Sequence, residues 1–212
     1  MNELQELDRL IDRYPALSVA RADILSARQM LLDCFDRGGK LLICGNGGSA
    51  ADSEHIVGEL MKGFLSKRPM DEAGKKAFRE ALGKDADLFT ERLQRPIRAV
   101  SLTAQTAVLS AFANDVDPDL VYAQLTYGYA KKGDLLIGIS TSGNAANVTA
   151  AAKVAKAAGA FTVALTGARE SKLSAVCDVT IRVPETETFK VQELHLPVYH
   201  YLCAAVEQRL FG

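Results

Sequence analysis

His55 and Glu59 stand four residues apart, a spacing that puts an imidazole and a carboxylate on one face of a helix. Directly before them runs Leu41-Leu42-Ile43-Cys44-Gly45-Asn46-Gly47-Gly48-Ser49. Its apolar half predicts a buried parallel strand, its glycines a turn with positive φ, and Ser49 the N-cap of the helix that carries His55. Backbone N–H groups and the positive end of the helix dipole converge at such a turn. Asn46, Gly47, Gly48 and Ser49 thus form a cradle for a phosphate or a sugar hydroxyl. The pattern returns downstream, with a buried strand over 134–139, the turn Ser140-Thr141-Ser142-Gly143-Asn144, and a helix-favouring segment over 145–158 closed by Gly159. The hydroxyls of Ser140, Thr141 and Ser142 at a helix N-terminus suit a dianionic phosphate monoester with no basic residue required. No Walker-type lysine follows either turn and G-x-G-x-x-G is absent, which argues against a nucleotide. Taken singly, each feature has a plainer reading: a turn that binds nothing, a surface His–Glu pair, hydroxyls that only cap a helix. Their recurrence at two strand ends favours a ligand.

The elements that must position these residues alternate along the chain. Two helices over 2–37, the second begun by Pro15 and ended by Gly38-Gly39, precede the first strand. The helix after the first turn runs to about residue 64. A polar, mixed-charge insert follows over 66–95, with a short amphipathic helix over 72–82, and reads as a solvated decoration. Residues 97–102 predict a second strand and 104–113 a helix, and Asp117-Pro118 opens another helix running to about residue 131. Short strands over 161–165 and 179–183 and a last helix over 188–210 complete the chain. This alternation predicts an α/β fold, a doubly wound parallel sheet of about five strands flanked by helices, with ligands beyond the carboxyl ends of the strands. The expected organisation is one domain over 1–212, with a helical segment over 1–38 and the charged insert over 66–95.

Composition narrows the function classes. With 25 basic and 26 acidic side chains the net charge is -1, which gives no electrostatic case for nucleic acid. Residues 1–13 are charged and amphipathic rather than a signal peptide, and no window is apolar for long enough to span a bilayer, so a cytoplasmic protein is expected without a membrane partner. Cys34, Cys44, Cys177 and Cys203 lie in apolar or helical contexts without metal-type pairing and read as reduced structural thiols.

Several motifs, in this order, resemble the sugar isomerase (SIS) fold and, within it, the phosphoheptose isomerase family. They are Cys44-Gly45-Asn46-Gly47-Gly48-Ser49 with His55 and Glu59, Asn114-Asp115, Gly138-Ile139-Ser140-Thr141-Ser142-Gly143-Asn144, and Gln192-Glu193-Leu194-His195 with His200. The resemblance covers the chain from about residue 41 onward. It implies that Asn46, Gly47 and Gly48, with Ser49 beside them, contact a sugar phosphate, that Ser140, Thr141 and Ser142 hold its phosphate, and that Asn114 and Asp115 touch the substrate. His55, Glu59, Gln192 and His200 match the family's zinc-binding positions, so Zn2+ is the implied cofactor; Glu59 and Gln192 also belong to the substrate site. The family works as a homotetramer with active sites near subunit contacts. Two departures stand out: Ala145 occupies the position of a family serine, and the segment 66–95 is longer than its counterpart.

Interconverting a ketose and an aldose phosphate moves a proton between C1 and C2 through an enediol, which needs a base, an acid and stabilisation of an oxyanion. On the resemblance, Glu59 is the base, His200 donates or shuttles the proton, and zinc polarises the carbonyl. Glutamine is an unusual zinc ligand. Gln192 and His200 are also eight residues apart, about 12 Å along a helix at ~1.5 Å per residue and roughly 80° apart in direction. Gln192 before the helix, a bend at Pro197, or sites built from two subunits would each resolve this. His195 reads as a helix histidine bonded to a neighbour. The leading expectation is isomerisation of sedoheptulose 7-phosphate to D-glycero-D-manno-heptose 7-phosphate. The alternatives are an isomerase of another sugar phosphate, or a non-catalytic SIS binding protein such as a factor that associates with the replication initiator.

Overall fold

A computed structural model describes residues 3–212; Asn2, with which the first predicted helix begins, lies outside them. Five strands, β1 (Leu41–Gly45), β2 (Ala99–Ser101), β3 (Leu135–Ser140), β4 (Phe161–Thr166) and β5 (Val179–Arg182), form one sheet in the order β2-β1-β3-β4-β5. All neighbours are parallel, with Leu42 beside Leu136 and Ile43 beside Ile137. Strand geometry sends alternate side chains to opposite faces, and here both faces are covered. Leu41 and Ile43 enter one core with Leu135, Ile137 and Val163, whereas Leu42 and Cys44 enter the other with Leu136 and Ala164.

The first core is covered by α1 (Glu3–Arg13), α2 (Arg21–Asp36), α3 (Gly48–Met61) and α9 (Thr188–Phe211), which contribute Leu7, Ile24, Ile56 and Val198 among others. The second lies under α6 (Thr106–Asp115), α7 (Val121–Tyr129) and α8 (Ala146–Ala157). Because β2 lies on one side of β1 and β3 on the other, the chain reverses direction across the sheet at β1. The loops after β1 and β3 part there and leave a crevice.

Local chemistry shifts several boundaries from the sequence expectation. Pro15 opens a 3-10 turn over Pro15–Ala20 that leads into α2. Asp117 caps a 3-10 turn, its carboxylate accepting from the Asp119 amide at 2.8 Å, before α7 begins. Ser49 is not the N-cap of α3: Gly47, at φ 55, takes that place, and Ser49 is a buried helical residue whose carbonyl accepts from the Ser53 hydroxyl. The reason is the left-handed turn, which only glycine enters without strain and which starts the helix earlier. The insert holds α4 (Glu72–Leu82), as predicted, and a further short helix, α5 (Ala86–Arg92); Phe78 and Phe89 pack between them with ring centroids 6.2 Å apart. α4 has no buried residue.

The root of the insert is bolted down. Arg68, 1 % exposed, donates from Nε to Glu207 on α9 at 2.6 Å and from Nη1 and Nη2 to the carbonyls of Leu60 and Glu59. Both carbonyls belong to the last turn of α3, and that of Leu60 also accepts from the Ile97 amide at 2.9 Å, so the guanidinium shares in closing that helix and complements its dipole. Glu207 also accepts from the amides of Phe64, Leu65 and Ser66. Burial works to raise its carboxyl, but the Phe64 and Leu65 amides and Arg68 hold it below the usual carboxylate range.

Candidate active site

The two loops expected to cradle an anion meet at the crevice beside β1. Asn46, Gly47, Gly48, Ser49, Ser140, Thr141 and Ser142 line one cleft of about 360 Å³, together with Ala145, Thr188 and Gln192. The loops are tied by a reciprocal amide pair, Asn46 Nδ2 to Asn147 Oδ1 at 2.9 Å and Asn147 Nδ2 to Asn46 Oδ1 at 3.0 Å. Gly143, at φ 67, turns the second loop, and a Cβ there would collide with Ser171. The N-cap of α8 is Ala145 and receives no side-chain bond. No hydroxyl caps α8, but Ser142 Oγ accepts from the Asn144 amide at 3.2 Å and so serves the turn itself. Gln192 faces the other wall: its amide nitrogen is 2.4 Å from where a Cβ on Gly48 would stand.

The titratable residues gather further along the same two helices. His55 Nε2 is 3.2 Å from Glu59 Oε1, and Lys62 Nζ is 2.9 Å from Glu59 Oε2. The rings of His55 and His200 lie 5.0 Å apart, edge to face, and Phe64 packs on His200 at 5.6 Å. Burial works to raise the Glu59 carboxyl, but Lys62 and His55 outweigh it and hold it below its ordinary value, so it is a carboxylate at neutral pH. Burial pushes His200 below its ordinary value, aided by the neighbouring His55, and its Nε2 is buried without a hydrogen-bond partner. His200 also lines a second cavity, of about 640 Å³, with Tyr14, Phe64 and Pro197.

Both Gly48 and Gln192 border the cleft, and His55 and His200 lie seven and eight residues beyond them, so the cluster sits about 10–12 Å along the helices at ~1.5 Å per residue. Gln192 lies inside α9, as does Pro197. One chain thus brings Gln192 to the phosphate loops and His55, Glu59 and His200 to each other. Among the described residues no three His, Cys, Asp or Glu stand where they could hold a metal ion together. Two imidazoles and a carboxylate fit zinc in kind. As placed in one chain they do not form a closed ligand set. Asn114 and Asp115 sit on the exposed last turn of α6, bonded to each other at 2.8 Å, and do not line the cleft.

Four further residues border this region without having been singled out by pattern. Asn147 locks Asn46, Thr188 closes the cleft, and the Tyr199 hydroxyl joins Asp52 and His55. Asp52 precedes His55 by three residues, a helical spacing that carries a signal; Tyr199, inside an apolar run, carries none. Cys44 stands one residue before the end of β1 and faces the second core rather than the cleft; burial pushes its thiol up, and those of Cys34, Cys177 and Cys203 to about 12, so none is an activated nucleophile. His195 is fully buried and pushed down to about 4, a neutral core imidazole.

SIS domain models match residues 99–205 and 8–94. The phosphoheptose isomerase of Akkermansia muciniphila is 33% identical over 203 residues, 96% of this chain and 94% of its own. The chain belongs to the phosphoheptose isomerase family. Within that family, the enzyme of Trichlorobacter lovleyi is 36% identical over 90% of this chain and 84% of its own. The solved phosphoheptose isomerase of Neisseria gonorrhoeae superposes with a TM-score of 0.74 at 30% identity, covering 97% of this chain and 95% of that one. That of Francisella tularensis, at 23% identity and a TM-score of 0.76, shares the fold. This family membership is an enzyme assignment.

Proposed function

We propose that this phosphoheptose isomerase family member interconverts sedoheptulose 7-phosphate and D-glycero-D-manno-heptose 7-phosphate through an enediol. The observation that carries the reading is the single cleft lined by both anion-cradling loops, with the hydroxyl-bearing Ser140, Thr141 and Ser142 on one and Gly47 and Gly48, at the start of α3, on the other. The phosphate sits there, and Asn46, Ser49 and Gln192 orient the sugar. Glu59, ionised at neutral pH, removes the proton from the carbon next to the carbonyl, and His200, neutral, passes it on. On α3 and α9 these groups lie about 10–12 Å along the helix from the residues that line the cleft of the same chain. That separation favours a site completed by a second subunit, in a homotetramer whose contacts would also cover Tyr127 and Leu65, 78 % and 75 % exposed. Asn114 and Asp115 are assigned to substrate from the neighbouring subunit in the same reading.

Zinc belongs to this proposal, with His55, Glu59, Gln192 and His200 as its donors. When bound it would polarise the substrate carbonyl as a Lewis acid. The protein acts in the cytoplasm on this reading; among the described residues no helix is long and apolar enough to cross a membrane.

A second substrate is favoured by one observation: Ala145, which lines the cleft, brings no hydroxyl where the family has a serine. Another ketose phosphate would then be turned over by the same groups. A purely binding role does not account for Glu59, His55 and His200 being gathered together. The proton-transfer step is tested in D2O: wild-type protein is expected to introduce deuterium from solvent beside the carbonyl of sedoheptulose 7-phosphate. Glu59→Gln should slow this by about 100-fold or more while remaining folded. Equal exchange in both would remove Glu59 as the base.

A further inference from the structure

Among the described residues, those that line the cleft are all uncharged. A phosphate there is held by hydroxyl and amide dipoles alone, and such bonds weaken steeply once distance and angle leave their optimum. Binding therefore depends on how the loop after β1 stands against the loop after β3. The Asn46–Asn147 pair links the two, at 2.9 and 3.0 Å, across 101 residues of sequence. Asn46 borders the cleft, whereas Asn147, in the first turn of α8, does not. Asn147 Oδ1 also accepts from the Val148 amide at 2.9 Å. A backbone N–H can only donate, so that contact settles which end of Asn147 is oxygen, and the reciprocal pair then settles which end of Asn46 is nitrogen. An amide oxygen accepts two hydrogen bonds and an amide nitrogen donates two. Asn147 Oδ1 is thereby filled, while Asn46 keeps one N–H and one lone pair for a ligand.

We infer that Asn147 is a positioning residue for substrate: it acts through Asn46, fixing the orientation of that amide and holding the two loops at the spacing a phosphate monoester needs. The inference rests on the proposed function only in taking the ligand to be a phosphate monoester; it does not require turnover. The plainer role for Asn147, satisfying the Val148 amide in the opening turn of α8, asks only for an acceptor at that position, which serine or aspartate also supplies. That role makes no use of the bond from Asn147 Nδ2 to Asn46 Oδ1. Closing both bonds to Asn46 needs a donor and an acceptor on two adjacent atoms, which a primary amide has and a hydroxyl lacks.

Asn147→Ser is the direct test, because serine stays neutral and keeps an acceptor for the opening turn of α8 but cannot close the two-bond ring. Full-length wild-type and variant proteins are titrated with inorganic phosphate by calorimetry and assayed on sedoheptulose 7-phosphate. In the variant, Kd for phosphate and KM should both rise by about 10-fold, the scale of two lost amide bonds, with kcat and the urea midpoint little changed. On an Asn46→Ala background Asn147→Ser should have no further effect, because the link is already gone. A wild-type Kd in Asn147→Ser overturns the inference, as does an undiminished effect on the Asn46→Ala background or a fall in kcat with KM unmoved. Should Asn147→Ser not fold, Asn147→Asp replaces it, since a carboxylate suits the start of a helix, and its coupling to Asn46→Ala is read in the same way. Phosphate bound by wild type without turnover of sedoheptulose 7-phosphate would sink the isomerase reading and leave this inference standing. Turnover with an unaltered KM in Asn147→Ser would do the reverse, and a wild type that binds no phosphate overturns the inference outright.

Discussion

At the scale of the residue, the contact between Gly48 and Gln192 shows why a small side chain is required in the first loop. A Cβ on Gly48 would meet the Gln192 amide nitrogen at 2.4 Å and its carbonyl carbon at 3.1 Å, both at the far end of a flexible side chain. Gly48→Ala is therefore expected to cost little stability, because Gln192 can swing away, but to remove that amide from the cleft. On steady-state kinetics KM should rise several-fold while the melting temperature moves by no more than a few degrees, the scale of about 1 kcal/mol in a domain of this size. An unchanged KM would mean that Gln192 does not touch the substrate. The chemistry-bearing residues were largely legible at this scale, since glycine turns, hydroxyl turns and i,i+4 pairs leave local patterns. Tyr199 and Asn147 were not, because each acquires its role from a partner, Asp52 or Asn46, that is distant in sequence.

At the scale of the element, the insert is tied to the catalytic helices through Arg68 and Glu207, whose side chains are 0% and 3% exposed. Removing one member of a buried ion pair strands the other charge. Arg68→Met should destabilise the fold by about 3–5 kcal/mol in urea unfolding, and the double variant with Glu207→Met should recover part of the loss. A single-variant loss below 1 kcal/mol would show that the pair is not a structural bolt. The charge-rich composition of 66–95 correctly predicts α4 on the surface, but it conceals this anchor. Arg68 and Glu207 are 139 residues apart and no periodicity links them. Strands, by contrast, were readable nearly to the residue, because a sheet covered on both faces requires unbroken apolar runs such as Leu41-Leu42-Ile43. Ser49 was misplaced because a helix start depends on the φ that Gly47 adopts, and composition does not record that angle.

At the scale of the whole molecule, buried His195 ties stability to pH. Burial lowers its pKa from an ordinary 6.5 to about 4, so between those values the unfolded chain takes up a proton that the folded one refuses. Stability is full above about pH 6.5 and falls as the pH drops through that window, by about 3 kcal/mol at its foot. Urea midpoints measured from pH 7.5 to 4.5 should show this slope, and His195→Leu should flatten it; an unaltered slope would put the proton uptake elsewhere. The parallel five-stranded sheet, with a cleft beyond the carboxyl ends of its strands, followed from the alternation of elements, whereas the strand order and the distance between the cleft and the His55, Glu59 and His200 cluster did not. That distance is set by how α3 and α9 lie together. The most direct test of the whole account is turnover of sedoheptulose 7-phosphate by purified protein supplied with zinc, followed by NMR. Appearance of the aldose 7-phosphate, absent with Glu59→Gln, is the predicted result; a folded wild-type protein that leaves the ketose unchanged would contradict it.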